Sequence, residues 1–232
     1  MPSRGAIVLI YHSIGDNKEF FTVSAGEFEK QMKYLADNNY RVISTSTMAG
    51  LLGRRQEVSP KTIVITFDDG YEDNYTNAFP VLEKYGFRAS IFLTTGSLAG
   101  TRTTSKGTVI STLHWPQIKE MTSSGLIEFF PHTHTHPKLN ILSDDKVLNE
   151  VHVSKEIMEK ELNKKMDIFA YPYGKSNQKV RDILKQEGFK VAFTVETGPA
   201  TAKADPLLIN RNSIDSMVTL PMFKGIIKRG RI

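Results

Sequence analysis

The stretch Thr62-Ile63-Val64-Ile65-Thr66-Phe67-Asp68-Asp69-Gly70 changes character abruptly. From Thr62 to Phe67 every residue is β-branched or aromatic, which is the signature of a strand. The run is nearly continuous rather than alternating, so both faces of the strand are expected to be covered, as in a parallel sheet flanked by helices. Two carboxylates then follow at once, with a glycine that frees the backbone to turn. A buried strand is thus predicted to deliver an acidic pair to its carboxyl end.

Similar runs recur on both sides of it: Ala6 to Ile10, Tyr40 to Ile43, Ala89 to Leu93, Leu126 to Phe130, Ile168 to Tyr171, Val191 to Val195 and Leu207 to Ile209. Between most of them lie apolar residues at helical spacing, as in Phe28, Met32 and Leu35, in Val147, Val151, Met158 and Leu162, and in Val180, Ile183 and Leu184. The first of these helices opens with Ser24-Ala25-Gly26-Glu27, a capping-box pattern. Strand and helix alternate, so the fold class is α/β with a parallel sheet. The chain has 232 residues, slightly under the roughly 250 of a (β/α) barrel, and a distorted barrel of seven or eight parallel strands fits it as one domain over residues 1–232.

Composition removes several function classes. Cysteine is absent, which excludes disulfides, thiolate metal sites and a cysteine nucleophile, so any metal must be held by nitrogen and oxygen. No apolar run approaches the roughly 18 residues of a membrane-spanning helix. Thirty Lys and Arg against 25 Asp and Glu give a net charge of +5, but the basic residues are scattered. Only Arg54-Arg55, Lys164-Lys165 and Lys228-Arg229-Gly230-Arg231 cluster, none interleaved with aromatics, so no nucleic-acid partner is expected. Met1-Pro2-Ser3-Arg4-Gly5 leads into an apolar stretch too short for a signal-peptide core. The chain is expected to be cytoplasmic as it stands, or exported if a leader has been trimmed.

The chemistry-bearing residues follow the strands. His12 lies after Ala6 to Ile10, Asp68-Asp69 after Thr62 to Phe67, His132 to His136 after Leu126 to Phe130, and Tyr173-Gly174 after Ile168 to Tyr171. In a parallel barrel these carboxyl ends open on one rim, where active sites assemble. Adjacent carboxylates at a crowded strand exit repel unless a cation or proton relieves them, although an ordinary capped loop start would look the same. Pro131-His132-Thr133-His134-Thr135-His136-Pro137 holds three of the six histidines. A helical turn would put His132 and His136 on one side; an extended segment would add His134. Two imidazoles and a carboxylate such as Asp69 make a catalytic zinc site, with Asp68 left as general base. His12 is a candidate proton donor, and equally a packed strand-end histidine. Tyr71, Trp115 and Tyr173 are rim aromatics suited to an amphipathic ligand, with core packing equally open for Trp115, which precedes Pro116 and a helical stretch.

Together, Thr66-Phe67-Asp68-Asp69-Gly70, His132 to Pro137 and Ala170-Tyr171-Pro172-Tyr173-Gly174 resemble the polysaccharide deacetylases of carbohydrate esterase family 4, the NodB-homology group. Ile10-Tyr11-His12-Ser13-Ile14, Phe28 to Met32 and Leu113-His114-Trp115 are similar to the branch that includes bacterial poly-N-acetylglucosamine deacetylases. The resemblance implies a distorted (β/α) barrel that hydrolyses an acetyl group on a carbohydrate with a divalent metal, Zn2+ first and Co2+, Ni2+ or Fe2+ as alternatives. It implies Asp68 as base, Asp69, His132 and His136 as metal ligands with His134 outside them, and the Tyr173 backbone N–H in an oxyanion hole. In this branch the acid histidine is circularly permuted to the start of the chain, which makes His12 the match.

The pattern is not complete. The customary arginine is Ala170 here, no Leu-x-x-His motif stands near the C-terminus, and Phe130-Pro131 replaces smaller residues and is expected to narrow the pocket. Arg211 is the expected substitute for the arginine. A catalytically silent carbohydrate-binding barrel and a C–N hydrolase acting on a non-sugar amide are the competing readings.

Overall fold

A computed structural model describes residues 5–59 and 61–230; Met1–Arg4, on which the compartment expectation rests, Pro60, and Arg231 of the basic terminus lie outside the described residues. Seven parallel strands carry the architecture: β1 (Ile7–Tyr11), β2 (Thr62–Asp69), β3 (Ala89–Leu93), β4 (Ile127–Pro131), β5 (Ile168–Ala170), β6 (Val191–Phe193) and β7 (Asn212–Ser213). β2 is central, with Ile7 to Tyr11 of β1 registered on Ile63 to Phe67 and Ile65 to Asp69 registered on Ala89 to Leu93 of β3. β3 pairs with β4, β5 with β6, and β1 with β7.

The ring is distorted. β4 and β5 pack side by side without a backbone ladder, and β6 is linked toward β7 by a single parallel bridge, Phe193 to Ile209. Among the described residues seven α-helices surround the strands: α1 (Ala25–Asp37), α2 (Thr45–Gly53), α3 (Phe79–Tyr85), α4 (Trp115–Ser123), α5 (Asp144–Leu162), α6 (Gln178–Gln186) and α7 (Leu220–Arg229). Every residue of β1, β2, β3, β5 and β6 is buried, as strands covered on both faces require. Among the described residues no helix is long and apolar enough to cross a membrane.

Two expected strands differ. Tyr40 to Ile43 shortens to Arg41–Val42 and pairs only with Thr62 and Ile63, because β3 occupies the same side of β2 from Ile65 onward. Leu207 to Ile209 is not a strand: Leu208 closes a turn on Asp205, the Leu207 carbonyl accepts from the Tyr171 hydroxyl, and only Ile209 meets β6. The ring strand forms just afterwards, at β7, which places Arg211 between bridge and strand. The capping box is half realised, since the Ser24 side chain accepts from the Glu27 amide while the Glu27 carboxylate pairs with Lys30.

After β5 the chain turns through Tyr173 (φ 57°) and Gly174 (φ 65°), both left-handed. A Cβ on Gly174 would lie 2.5 Å from Val195 Cγ2 and 2.7 Å from its backbone nitrogen, so side chain and φ are both excluded there. Gly50 is exposed inside α2 with open space around it. Gly174→Ala should therefore destabilise the protein by at least ~1–2 kcal/mol in urea unfolding, whereas Gly50→Ala should stabilise it by ~0.5–1 kcal/mol.

Candidate active site

β2 runs two residues further than its apolar stretch and ends on the acidic pair itself. Successive strand residues point to opposite faces, which would separate the two carboxylates. Asp69 escapes that alternation through a left-handed backbone (φ 75°), followed by Gly70 at φ 76°. Both carboxylates therefore reach the mouth of the ring, and both are buried, at 2% and 6% exposure.

Each has its own cation. Arg211, fully buried, grips Asp68 through two parallel bonds of 2.7 Å, from Nη1 to Oδ1 and from Nη2 to Oδ2. The same guanidinium donates Nε–H to the Thr194 carbonyl at 2.9 Å and packs against the rings of Phe92 and Phe193. Burial raises the Asp68 pKa, but the Arg211 charge and then His132 outweigh it and hold the carboxyl below its usual range. Asp69 accepts from Arg102 Nη1 at 2.5 Å. There too burial is outweighed, by His136 and Arg102, and the carboxyl stays ionised well below its ordinary range.

The histidines come from the loop after β4, which is neither helix nor strand. Left-handed residues at Thr133 (φ 68°) and His136 (φ 64°) fold it tightly, and the Thr133 hydroxyl accepts from the His136 amide at 3.0 Å. This brings the two imidazoles within 4.9 Å of each other, where the sequence spacing alone left helix and extended chain open. His134 turns away: its Nδ1 lies 3.0 Å from the Thr95 hydroxyl, and the amides of His134 and Thr135 donate to Glu150.

Asp69, His132 and His136 each present one ligand atom, all within 4.8 Å of one another. The His132 Nδ1 is 2.8 Å from the Ala170 carbonyl, which can only accept, so Nδ1 carries the proton. Its Nε2 then aims a lone pair at two carboxylates, 3.7 Å from Asp68 and 3.9 Å from Asp69. Protonation does not relieve this, because burial lowers the pKa of His132 and takes that of His136 to about 3. A cation between these donors would reconcile them, and two imidazoles with one carboxylate suit a divalent transition metal. The donor set fits such an ion.

These groups form the floor of a cleft of about 440 Å³. His12 and Tyr173 line it, as do Glu19, Phe20, Phe21, Tyr71 and a hairpin formed by Thr101–Thr103 and Val109–Ser111. Tyr173 is exposed (51%) and its ring meets that of His136 edge-on at 4.7 Å. Tyr71 is buried, stacked on Phe21, and Trp115 opens α4 against the core without lining the cleft, so neither offers a free face to a sugar. Phe130 also lies in the core, packed on Phe92, and neither it nor Pro131 narrows the cleft. The hairpin with Arg102 was not anticipated. Its signal is the pair of short Thr/Val/Ile runs flanking Ser105-Lys106-Gly107.

Comparison with known proteins gives the family. Residues 55–192 match the family described as polysaccharide deacetylase. The Bacillus subtilis protein YxkH, named for the same family, is 33% identical over 194 residues, covering 84% of this chain and 66% of its own length. The chain belongs to the polysaccharide deacetylases. A poly-β-1,6-N-acetyl-D-glucosamine N-deacetylase of Staphylococcus aureus is 29% identical over 90% of this chain and 72% of its own. The chain thus spans about two-thirds of the length of these curated relatives. The Streptococcus pyogenes deacetylase PplD, solved with acetate, superposes with a TM-score of 0.85 at 28% identity, covering 98% of this chain and 99% of that one. Arg211, expected to stand in for the arginine absent at Ala170, contacts Asp68, while the Ala170 carbonyl orients His132.

Two outcomes follow for this deacetylase-family site. Arg211→Met leaves a buried, unpaired Asp68 and should cost ~3–5 kcal/mol in urea unfolding, with Asp68→Asn added to it recovering at least half. In metal-free protein, His132 and His136 stay neutral when folded but take up protons near pH 6.5 when unfolded. Stability should therefore fall as pH drops below 6.5, with His136 contributing a slope approaching ~1.4 kcal/mol per pH unit toward pH 4 and His132 adding to it in the same direction, and His136→Gln should remove its own share. The carboxylates act lower: their depressed values keep their contribution until pH falls below about 3.8.

Proposed function

We propose that the chain is a metal-dependent hydrolase that removes acetyl groups from a carbohydrate, with N-acetylglucosamine polymers as the substrate class. The observation that carries this is the buried cluster of Asp69, His132 and His136 beside an Arg-held Asp68 at the floor of an open cleft. Family membership and the substrate named for the staphylococcal relative support the carbohydrate assignment. The charge supplied to Asp68 by Arg211 weighs against a silent binding barrel, one reason for which was the absent arginine.

Asp69, His132 and His136 would hold the ion. Bound there, a divalent cation such as Zn2+ supplies Lewis acidity, making water nucleophilic near neutral pH and polarising the acetyl carbonyl. Asp68, ionised and acceptor-only through Arg211, takes the proton of the attacking water. The Tyr173 backbone, left-handed before Gly174, would offer its N–H to the developing oxyanion. His12, which lines the same cleft, gives its proton to the nitrogen of the departing amine. The acyl C–N bond breaks, and acetate and a free amino sugar leave. The exposed rings of Tyr173 and Phe20 offer the sugar faces to stack on.

Metal-reconstituted wild type should release acetate from N-acetylglucosamine oligomers in a panel that also holds a monomeric acetylated nucleotide sugar and acetylated xylan. Asp68→Asn should reduce that rate by ~10²–10⁴ with metal content intact. Loss of metal in Asp68→Asn would overturn the division of roles. No acetate from any sugar, with metal bound, would favour the non-sugar amidase.

A further inference from the structure

His12 has to be aimed, and among the described residues no side chain hydrogen-bonds its imidazole; its ring meets that of Phe21 at 5.8 Å, and Asp68 and Asp69 act on it through charge without a hydrogen bond. Its orientation must come from the backbone that carries it. That backbone is held by one turn of the chain just after Gly70. Asn74 Nδ2 donates to the His12 carbonyl at 2.7 Å, and Asn77 Nδ2 donates to the Ile14 carbonyl at 2.7 Å. Asp73 takes the Ser13 hydroxyl at 2.5 Å and the Ile14 amide. The turn is a π-helix over Asn74–Ala78, a wide and rare geometry that places these side chains together on His12-Ser13-Ile14.

Two details argue that the grip is more than ordinary packing. Asn74 is 1% exposed and its Oδ1 has no partner, so a buried acceptor is left unsatisfied while the amide donor is used twice, on His12 and on Asp73. An apolar residue would avoid that cost and lose the bond to His12. The turn also begins a few residues beyond Asp69, so one short segment links the strand carrying a metal ligand to the loop carrying the acid.

We infer that Asn74, supported by Asp73 and Asn77, is a positioning residue that sets the His12 imidazole for proton delivery to the leaving group. This rests on the reading of His12 as the acid. An amide needs that proton, since an amine anion does not leave; an aryl ester does not, since its acyl C–O bond breaks with departure of a stable phenolate. The ratio of kcat on an N-acetylglucosamine oligomer to kcat on 4-nitrophenyl acetate therefore isolates the acid from the rest of the site.

With metal-loaded enzyme, Asn74→Ala should lower that ratio by at least ~tenfold with metal content equal to wild type, His12→Gln should lower it at least as far, and Asn74→Gln should restore part of it. Asn77→Ala should show a smaller fall in the same direction and carries the test if Asn74→Ala does not fold. Equal loss on both substrates in the Asn variants, or no loss, would overturn the positioning role while a His12→Gln effect left the acid assignment standing. A ratio unchanged in His12→Gln would overturn both.

Discussion

Two neighbouring carboxylates buried at the end of one strand constrain everything around them. Asp68 and Asp69 cannot both be ionised in a low-dielectric site unless separate cations reach them, because desolvation of each is worth several kcal/mol. The chain meets this with opposed directions of approach. Arg211 arrives from inside the ring, threaded between Phe92 and Phe193, and takes both oxygens of Asp68. Arg102 arrives from above, on the hairpin that walls the cleft, and takes one oxygen of Asp69. The left-handed backbone at Asp69 makes the division possible, since regular strand alternation would have sent that carboxylate away from the mouth.

The two arginines differ in kind. Arg211 is saturated by carboxylate, carbonyl and aromatic partners and cannot leave without stranding a buried charge. Arg102 makes one strong bond, at 21% side-chain exposure, to the same oxygen that Asp69 presents to the histidines. A metal on that oxygen competes with Arg102 and not with Arg211. Under the proposed roles, Arg211 would keep the base ionised, and Arg102 would neutralise the ligand where no ion does.

Much of this was legible in the sequence, and the reasons are local. The apolar runs of β1 to β6 identify themselves because both faces are covered, and the acids and histidines stand directly behind those runs. What could not be read depends on three-dimensional closure. Arg211 could be named as the substitute arginine from its place after the last expected strand, but its two-bond grip on Asp68 follows from β7 closing on β1. Arg102 sits in a threonine-rich hairpin whose strands are too short for a periodic signal. Trp115, aromatic and near a motif, goes to the core because it starts α4, whose inward face is apolar.

The histidine loop shows a further limit of spacing arguments. His132 and His136 are four residues apart, which suits a helical turn, but a helix there would continue β4 without a break, and two left-handed residues wind the loop back instead. The outcome for the imidazoles is the same by a different route. His132 is then set by a carbonyl of the neighbouring strand, Ala170, at the seam where β4 and β5 share no backbone ladder. That missing ladder leaves carbonyls of β5 free to accept from side chains. The distortion of the ring is therefore part of the site: a closed ladder between β4 and β5 would have claimed the acceptor that fixes the tautomer of His132, and with it the lone pair that faces Asp68 and Asp69.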